Sequence, residues 1–304
     1  METQNKPINW FPGHMAKTRR LLQEQLRRTD LVIELCDARL PYSSRNPELG
    51  QMVSGKRRVL FLNKSDLADP ELTKAWLKYF QSAGEEAYII SALTLRSRES
   101  IAIIDRVTRE IVEKAGERGI RKTVRSMVIG VPNVGKSTLI NRIRGNAITQ
   151  TGDRPGVTKN NQWVRISPYL ELLDTPGMLW PRLDDQEAAL KLCWIGSVPD
   201  NVVDLSDLTI SLLENLKKVA PEAMKSRFHM TDLSAGGVAL LDDVCRGRGW
   251  LLKGGRYDYD RCCSVVMDEF RSGKLGRISL EVPDSGEGDQ NDRQECKSGR
   301  AAEV

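Results

Sequence analysis

Residues Gly130-Val-Pro-Asn-Val-Gly-Lys-Ser137 match the pattern G-x4-G-K-[ST], preceded by the apolar run Ser126-Met-Val-Ile129 and followed by a helical segment, Ser137 to Arg144. Between a strand and a helix, such a turn lets successive backbone N–H groups converge on a phosphate at the positive end of the helix. The turn works only where the carboxyl end of a strand feeds a helix, so it calls for a layered α/β fold.

The rest of the first 180 residues agrees. Further apolar runs, Leu31-Val-Ile-Glu-Leu-Cys36, Arg58-Val-Leu-Phe-Leu62, Ala87-Tyr-Ile-Ile90 and Tyr169-Leu-Glu-Leu-Leu173, read as strands of a sheet covered on both faces. Helical periodicity separates most of them, at 71–81 and 99–114, and a basic amphipathic segment, 15–28, comes before the first. Beyond about Trp180 the strand pattern stops, and segments at 185–192, 205–219, 238–245 and 259–271 read as helices. The expected organisation is an α/β domain with a mostly parallel sheet over 1–180, a mainly helical domain over 181–280 and an acidic tail over 281–304.

Two domains suit a chain of 304 residues. No apolar run is long enough to span a bilayer, and Met1 to Asn9 carries neither a secretory run nor an Arg-rich presequence, so the expectation is a cytoplasmic protein. Six cysteines lack C-x-x-C spacing and only two histidines are present, which argues for reduced packing thiols, Cys262 and Cys263 included, over a zinc site. The net charge is +5; the last 24 residues hold seven acidic and three basic side chains, −4, which leaves the body at +9. A basic body is compatible with a polyanionic partner. The tail has almost no apolar residues and reads as disordered.

Four further motifs complete a nucleotide site. Within the glycine-rich turn, Lys136 is expected to bridge β- and γ-phosphates and the Ser137 hydroxyl to ligate Mg²⁺, with Asn133, Val134, Gly135 and Thr138 completing the loop and the first helical turn. Asp174-Thr-Pro-Gly177 ends the last strand, where an aspartate holds Mg²⁺ and the Gly177 N–H meets the γ-phosphate. Between them, Asp153-Arg-Pro-Gly-Val-Thr158 supplies Thr158 for a first switch closing on Mg²⁺, with Thr149 and Thr151 as rivals. Asn63-Lys-Ser-Asp66, after the second strand, sets the Asp66 carboxylate against the two donors on guanine N1 and N2, with Asn63 bracing the loop and Lys64 along the base. Adenine cannot make that pair and would leave the carboxylate unpaired. Ser91-Ala92-Leu93 follows the next strand, and the Ala92 N–H is placed to donate to guanine O6.

These motifs run in rotated order, with the two base-reading motifs before the phosphate loop. In that order, and in Asn9-Trp-Phe-Pro-Gly-His-Met15, Asp37-Ala-Arg39, Arg154-Pro-Gly-Val-Thr158 and Asp174-Thr-Pro-Gly-Met-Leu-Trp-Pro181, the chain resembles the YlqF family of circularly permuted GTPases over nearly all of residues 8 to 280. The resemblance implies a cytoplasmic GTPase that takes GTP and Mg²⁺, binds the large ribosomal subunit precursor and its rRNA late in assembly, is stimulated by the particle and is monomeric away from it.

Rotation has a mechanical consequence. In the ordinary order the second switch runs on into the strand that precedes N-K-x-D; here it runs out of the sheet into the helical domain, so switch closure is expected to reorient residues 181 to 280. Met178 stands where a water-positioning glutamine usually follows D-x-x-G. His14, just before the first helix, is the expected catalytic substitute, since histidine can orient water near neutral pH; packing or partner contact is the alternative. His229 reads as structural or RNA-facing. In GTPases of similar pattern an asparagine at this point of the loop helps bind K⁺, so the resemblance adds K⁺ as a cofactor held by Asn133, against simple shaping of the loop. For RNA, the basic segment Arg246 to Arg256 with Lys274, Arg277 and the N-terminal helix offers phosphate contacts, and Trp250 a base-stacking ring. The rivals are an ATP-using P-loop enzyme, which has no use for N-K-x-D, a regulatory GTPase switching a protein effector without RNA, and a tRNA-modification GTPase, for which a second catalytic domain is missing.

Overall fold

The computed structural model describes residues 15–45, 49–53, 55–144, 162–167, 170–174 and 185–283. His14, Thr158 and Gly177 lie outside them, as does the chain beyond 283, and Asp174 is described by its backbone alone.

Six strands form one sheet: β1 (Leu31–Asp37), β2 (Arg57–Asn63), β3 (Ala87–Ile89), β4 (Val124–Gly130), β5 (Gln162–Ser167) and β6 (Leu170–Asp174), in the spatial order β3-β2-β1-β4-β6-β5. Every neighbouring pair is parallel except β5 with β6. The two-residue period of a strand divides the side chains between two layers. Leu31, Ile33 and Leu35 join Val59, Phe61, Val124 and Val128 on one face. Val32 meets Met127, Ile129 and Leu173 on the other, where Leu22 and Leu26 of α1 (Met15–Arg27) and Leu49 of α2 (Leu49–Met52) cover them. Beside these, Cys36, Leu60 and Leu62 pack under Trp76 and Phe80 of α3 (Pro70–Ser82). The first face is closed by Ile104 and Val107 of α4 (Ser97–Gly116) and by Leu139, Ile140 and Ile143 of α5 (Lys136–Arg144). Burying each such side chain contributes about 1.5–3 kcal/mol, which accounts for the burial of the apolar residues of β1. The two charged residues of β1 are buried in ion pairs, Glu34 with Arg45 at 3.0 Å and Asp37 with Arg39 at 2.8 Å.

The sequence reading misses β5. Gln162-Trp-Val-Arg-Ile-Ser167 mixes polar with apolar residues; it is an edge strand paired antiparallel with β6, and its Trp163 lies under the Arg125 guanidinium instead of in the core. An antiparallel edge does not require a continuous apolar run.

After the sheet come α6 (Gln186–Trp194), α7 (Leu205–Val219), α8 (Pro221–Phe228), α9 (Val238–Arg248) and α10 (Tyr259–Arg271). Asp185, Asp204 and Asp258 cap α6, α7 and α10 by accepting backbone N–H groups of the first turn. The sequence reading also passes over α8, a short helix that buries only Met224 and Phe228 and so leaves little periodicity to read. His229 ends it in the left-handed conformation, its N–H donated to the Lys225 carbonyl, which is a structural use of that residue. The helices do not hang off the sheet: Leu192, Trp194, Val198, Leu212, Val266 and Phe270 belong to the same buried cluster as Leu35 and Val128.

Two expectations need correction. Trp250 is only 5% exposed, covered by the guanidinium groups of Arg248 and Arg261, so it presents no ring to a base. Glu281, taken as the start of a disordered tail, is buried: its carboxylate accepts from the backbone N–H of Tyr42 (2.8 Å), from that of Ser43, and from the Ser43 hydroxyl. A single charge next to a Ser-Gly-Glu run looks solvated in sequence; two backbone donors facing it reverse that balance. The five described cysteines are free and buried, in keeping with a packing role, and burial pushes the Cys193 thiol up to about 12. Among the described residues no cluster of His, Cys, Asp and Glu could hold a metal ion, and no helix is long and apolar enough to cross a membrane.

Candidate nucleotide-binding site

Because β1, β2, β3, β4 and β6 are mutually parallel, their carboxyl ends lie along one edge of the sheet, where ligands of open α/β sheets bind. The register there is tight. Asp37 pairs with Asn63, Leu35 with Gly130, and Val128 with Asp174. Four motifs spread over more than a hundred residues of sequence, from Asp37 to Asp174, thus emerge on one rim.

The phosphate loop is built on two close approaches. A Cβ on Gly130 would stand 2.5 Å from the Leu35 carbonyl oxygen, and one on Gly135, where φ is +102°, would stand 2.4 Å from the Asn63 amide nitrogen. Only glycine fits either place. The Lys136 ammonium is buried and turns back over the loop, donating to the carbonyl oxygens of Val131 (2.9 Å) and Gly130 (3.2 Å). Ser137 and Thr138 follow it in the first turn of α5.

Asn63 braces the neighbouring loops, as expected from N-K-x-D. Its Nδ2 donates to the Val134 carbonyl at 2.7 Å, and its Oδ1 accepts the Ala92 N–H at 2.9 Å, so one buried side chain joins three motif loops. The Ala92 N–H expected for guanine O6 is therefore committed to Asn63 in this structure. The Ala92 and Leu93 carbonyls are held in turn by the Arg142 guanidinium from α5.

Asp66 Oδ1 is buried and accepts no hydrogen bond, and the Ser91 hydroxyl beside the same rim is likewise buried without a partner. A carboxylate oxygen in that condition costs about 1–3 kcal/mol or more, a penalty that a base with two adjacent donors would remove. Lys64, in the left-handed conformation at φ 60°, reaches back to Asp37 at 3.2 Å. Asp37 itself is fully buried and accepts two bonds from the Arg39 guanidinium, at 2.9 and 2.8 Å, and one from the Arg39 backbone N–H at 3.1 Å. Burial alone would raise the Asp37 carboxyl, but Arg39 and Lys64 outweigh it and hold the group below the usual carboxylate range. Burial, only partly offset by Asp37, lowers the Lys64 ammonium.

The helical region touches the phosphate loop directly, which the sequence reading did not find. Asn133, at φ 59°, donates from Nδ2 to the Gly196 carbonyl at 2.7 Å, and the Ser197 hydroxyl donates to the Pro132 carbonyl at 2.9 Å. Arg271 of α10 fixes that turn, donating to the Trp194 and Cys193 carbonyls at 3.0 and 2.8 Å while paired with Asp200 at 2.6 Å. These partners lie some sixty to eighty residues apart and follow no spacing rule. Residues 193–197 could have been noticed only as a Cys-Trp-Ile-Gly-Ser turn with no loop signal of its own.

Comparison with known proteins agrees with this geometry. The family described as 50S ribosome-binding GTPase matches residues 125–231, starting in β4 and leaving N-K-x-D and Ser91-Ala92 outside on the N-terminal side. Ribosome biogenesis GTPase A of Bacillus cereus is 43% identical over 279 residues, 91% of this chain and 94% of that one. The protein of the same name from Thermotoga maritima is 30% identical over 277 residues, covering 91% and 95%. Two solved YlqF structures, one bound to GDP and one, from T. maritima, to GNP, superpose with a TM-score of 0.65 at 26% and 25% identity. They cover 87% and 88% of this chain and 99% of theirs.

Proposed function

We propose, on the premise that this chain belongs to the ribosome biogenesis GTPase A family of circularly permuted GTPases, that it binds the precursor of the large ribosomal subunit and promotes a late step of its assembly, with GTP hydrolysis driving release. The chain is a GTPase with the family's permuted sheet, and the relatives' names support work in ribosome biogenesis. The description of the matching family as 50S ribosome-binding supports the large subunit as partner and, with it, a cytoplasmic setting.

One observation carries the proposal beyond the names. The loop after α6 grips the phosphate loop at Pro132 and Asn133, so a change in that loop with nucleotide state is felt directly by the helical region. Exposed Lys253, Arg256, Lys274 and Arg277 on that region, and Arg20 and Arg27 on α1 with Arg28 just after it, are available for rRNA phosphates. Arg246 and Arg248 are instead engaged with Asp243 and Glu269.

In the site, the orphaned Asp66 carboxylate fits the two donors of guanine, Lys64 lies along the base, and Lys136 leaves the Gly130 and Val131 carbonyls for the β- and γ-phosphates. Ser137, Thr158 and Asp174 would hold Mg²⁺, whose contribution is to neutralise phosphate charge. Val128 of β4 opposite Asp174 of β6, beside the phosphate loop, supports that set. Gly177 would donate its N–H to the γ-phosphate.

His14 is proposed to orient the attacking water. Helix α1 ends at Arg27, shortly before β1, and packs on β4 and β6, so it runs antiparallel to them. Thirteen residues at about 1.5 Å each span about 20 Å, nearly the length of a seven-residue strand, which supports an α1 N-terminus at the phosphate rim. Asn133 is proposed as a K⁺ contact.

The test is cosedimentation with small and large ribosomal subunits in GDP and in a non-hydrolysable GTP analogue. Salt-sensitive binding to the large subunit alone, stronger with the analogue, is expected. Absence of binding in both states would favour a protein effector instead.

A further inference from the structure

The segment after α10 crosses back to the sheet and fastens to the N-K-x-D loop from behind. Ile278 donates its N–H to the Leu67 carbonyl at 3.0 Å, the Ser279 hydroxyl accepts the Asp69 N–H at 3.1 Å, and Leu280 donates its N–H to the Arg39 carbonyl at 2.9 Å. Glu281 completes the attachment through Tyr42 and Ser43, and its carbonyl accepts the Trp76 indole N–H at 3.1 Å. Gly273 lies so close to Leu67 that a Cβ there would stand 2.6 Å from the Leu67 Cδ2, and its φ of +75° itself favours glycine.

We infer that residues 278–281 are positioning residues for base recognition: this strap fixes where the Asp66 carboxylate points and so sets the preference for guanine. The inference rests on the reading of Asp66 as the base-binding residue. Asp66 sits between two tethers. On its N-terminal side Ser65 donates its N–H to the Ile90 carbonyl, one residue past β3; on its C-terminal side Leu67 and Asp69 are held by the strap. The loop departs from regular backbone at Lys64, and its own support is one turn bond, from the Leu67 N–H to the Lys64 carbonyl at 2.9 Å, with no strand ladder to keep Asp66 aimed. A carboxylate that must receive two donors side by side tolerates little rotation, and the second tether is what restrains it.

Inosine diphosphate provides the measurement, because hypoxanthine keeps N1–H and lacks the 2-amino group. A well-aimed Asp66 distinguishes GDP from IDP; a loosened one does so less. In full-length Ser279→Ala and in Ser279→Ala/Glu281→Gln, the GDP:IDP affinity ratio is expected to fall by about fivefold, short of the roughly tenfold or more that outright loss of a charge-assisted hydrogen bond costs because Asp66 is misaimed and not removed, with GDP binding weakened more than IDP binding. Ser279→Thr, which keeps the hydroxyl, is expected to retain the ratio. Should the double variant fail to fold, Ser279→Ala alone decides by the same ratio. An unchanged ratio in folded strap variants, alongside a collapsed ratio in Asp66→Ala, overturns the inference and leaves the Asp66 reading standing. An unchanged ratio in Asp66→Ala overturns both.

Discussion

Asn63 Nδ2 lies 2.7 Å from the Val134 carbonyl oxygen, so the N-K-x-D loop and the phosphate loop are joined through one buried amide. Asn63→Ala removes this bond and the one from Ala92, and leaves a buried carbonyl and a buried N–H unpaired. The expected cost is about 2–4 kcal/mol of stability. Denaturant titration and equilibrium binding of a fluorescent GDP should show both a lower midpoint and weaker binding; a change in neither would mean the two loops are held independently.

Glycine substitutions in the phosphate loop should separate two kinds of harm. Gly135→Ala drives a methyl into the Asn63 amide at a φ of +102°, and is expected to weaken nucleotide binding by more than about tenfold through the brace. Gly130→Ala meets the Leu35 backbone carbonyl, which cannot swing away, and should lower stability by about 1–3 kcal/mol. Paired unfolding and binding curves for the two variants check the distinction.

Acid should unfasten the Asp37 cluster. The folded carboxyl is held below its unfolded value of about 3.9, so its contribution is fully present above that pH and is lost as pH falls through the lower folded value. Stability measured from pH 6 downwards is expected to drop below about pH 4. In Asp37→Asn the drop should be shallower, at the cost of lower stability near neutrality, because Arg39 and Lys64 lose their buried counter-charge.

His14→Ala is expected to bind GTP with normal affinity and to lose about 10²- to 10⁴-fold in particle-stimulated turnover, the range for a group that positions water or moves its proton. Single-turnover hydrolysis with large subunits present is the measurement. Full turnover in that variant would leave Met178 without a substitute and remove His14 from the mechanism.

Exchanging KCl for NaCl at constant ionic strength tests Asn133. A K⁺ contact predicts faster hydrolysis in KCl, with the difference abolished in Asn133→Ala. Equal rates in the two salts would assign the asparagine to its observed bond with Gly196 alone.

The α/β class, the five strands other than β5, the glycine loop between β4 and α5 and the N-K-x-D stretch at the end of β2 were legible from the chain. Each depends on a short stretch: a glycine turn between strand and helix, or N-K-x-D after a buried strand. The rotated order was legible too, since order is a property of sequence alone. Tertiary structure decided what those stretches do to one another. Asn63 meets Val134 and Ala92, Ser197 meets Pro132, and Ile278 meets Leu67 because parallel strands end on one rim and the helices share the sheet's buried cluster. No periodicity encodes a hydrogen bond between residues two hundred positions apart. The same gap explains the two corrections: Trp250 lies in a basic, glycine-rich segment and Glu281 opens an acidic one, so both have solvent-facing neighbours in sequence, and only the guanidinium groups packed on one and the backbone donors aimed at the other show their burial.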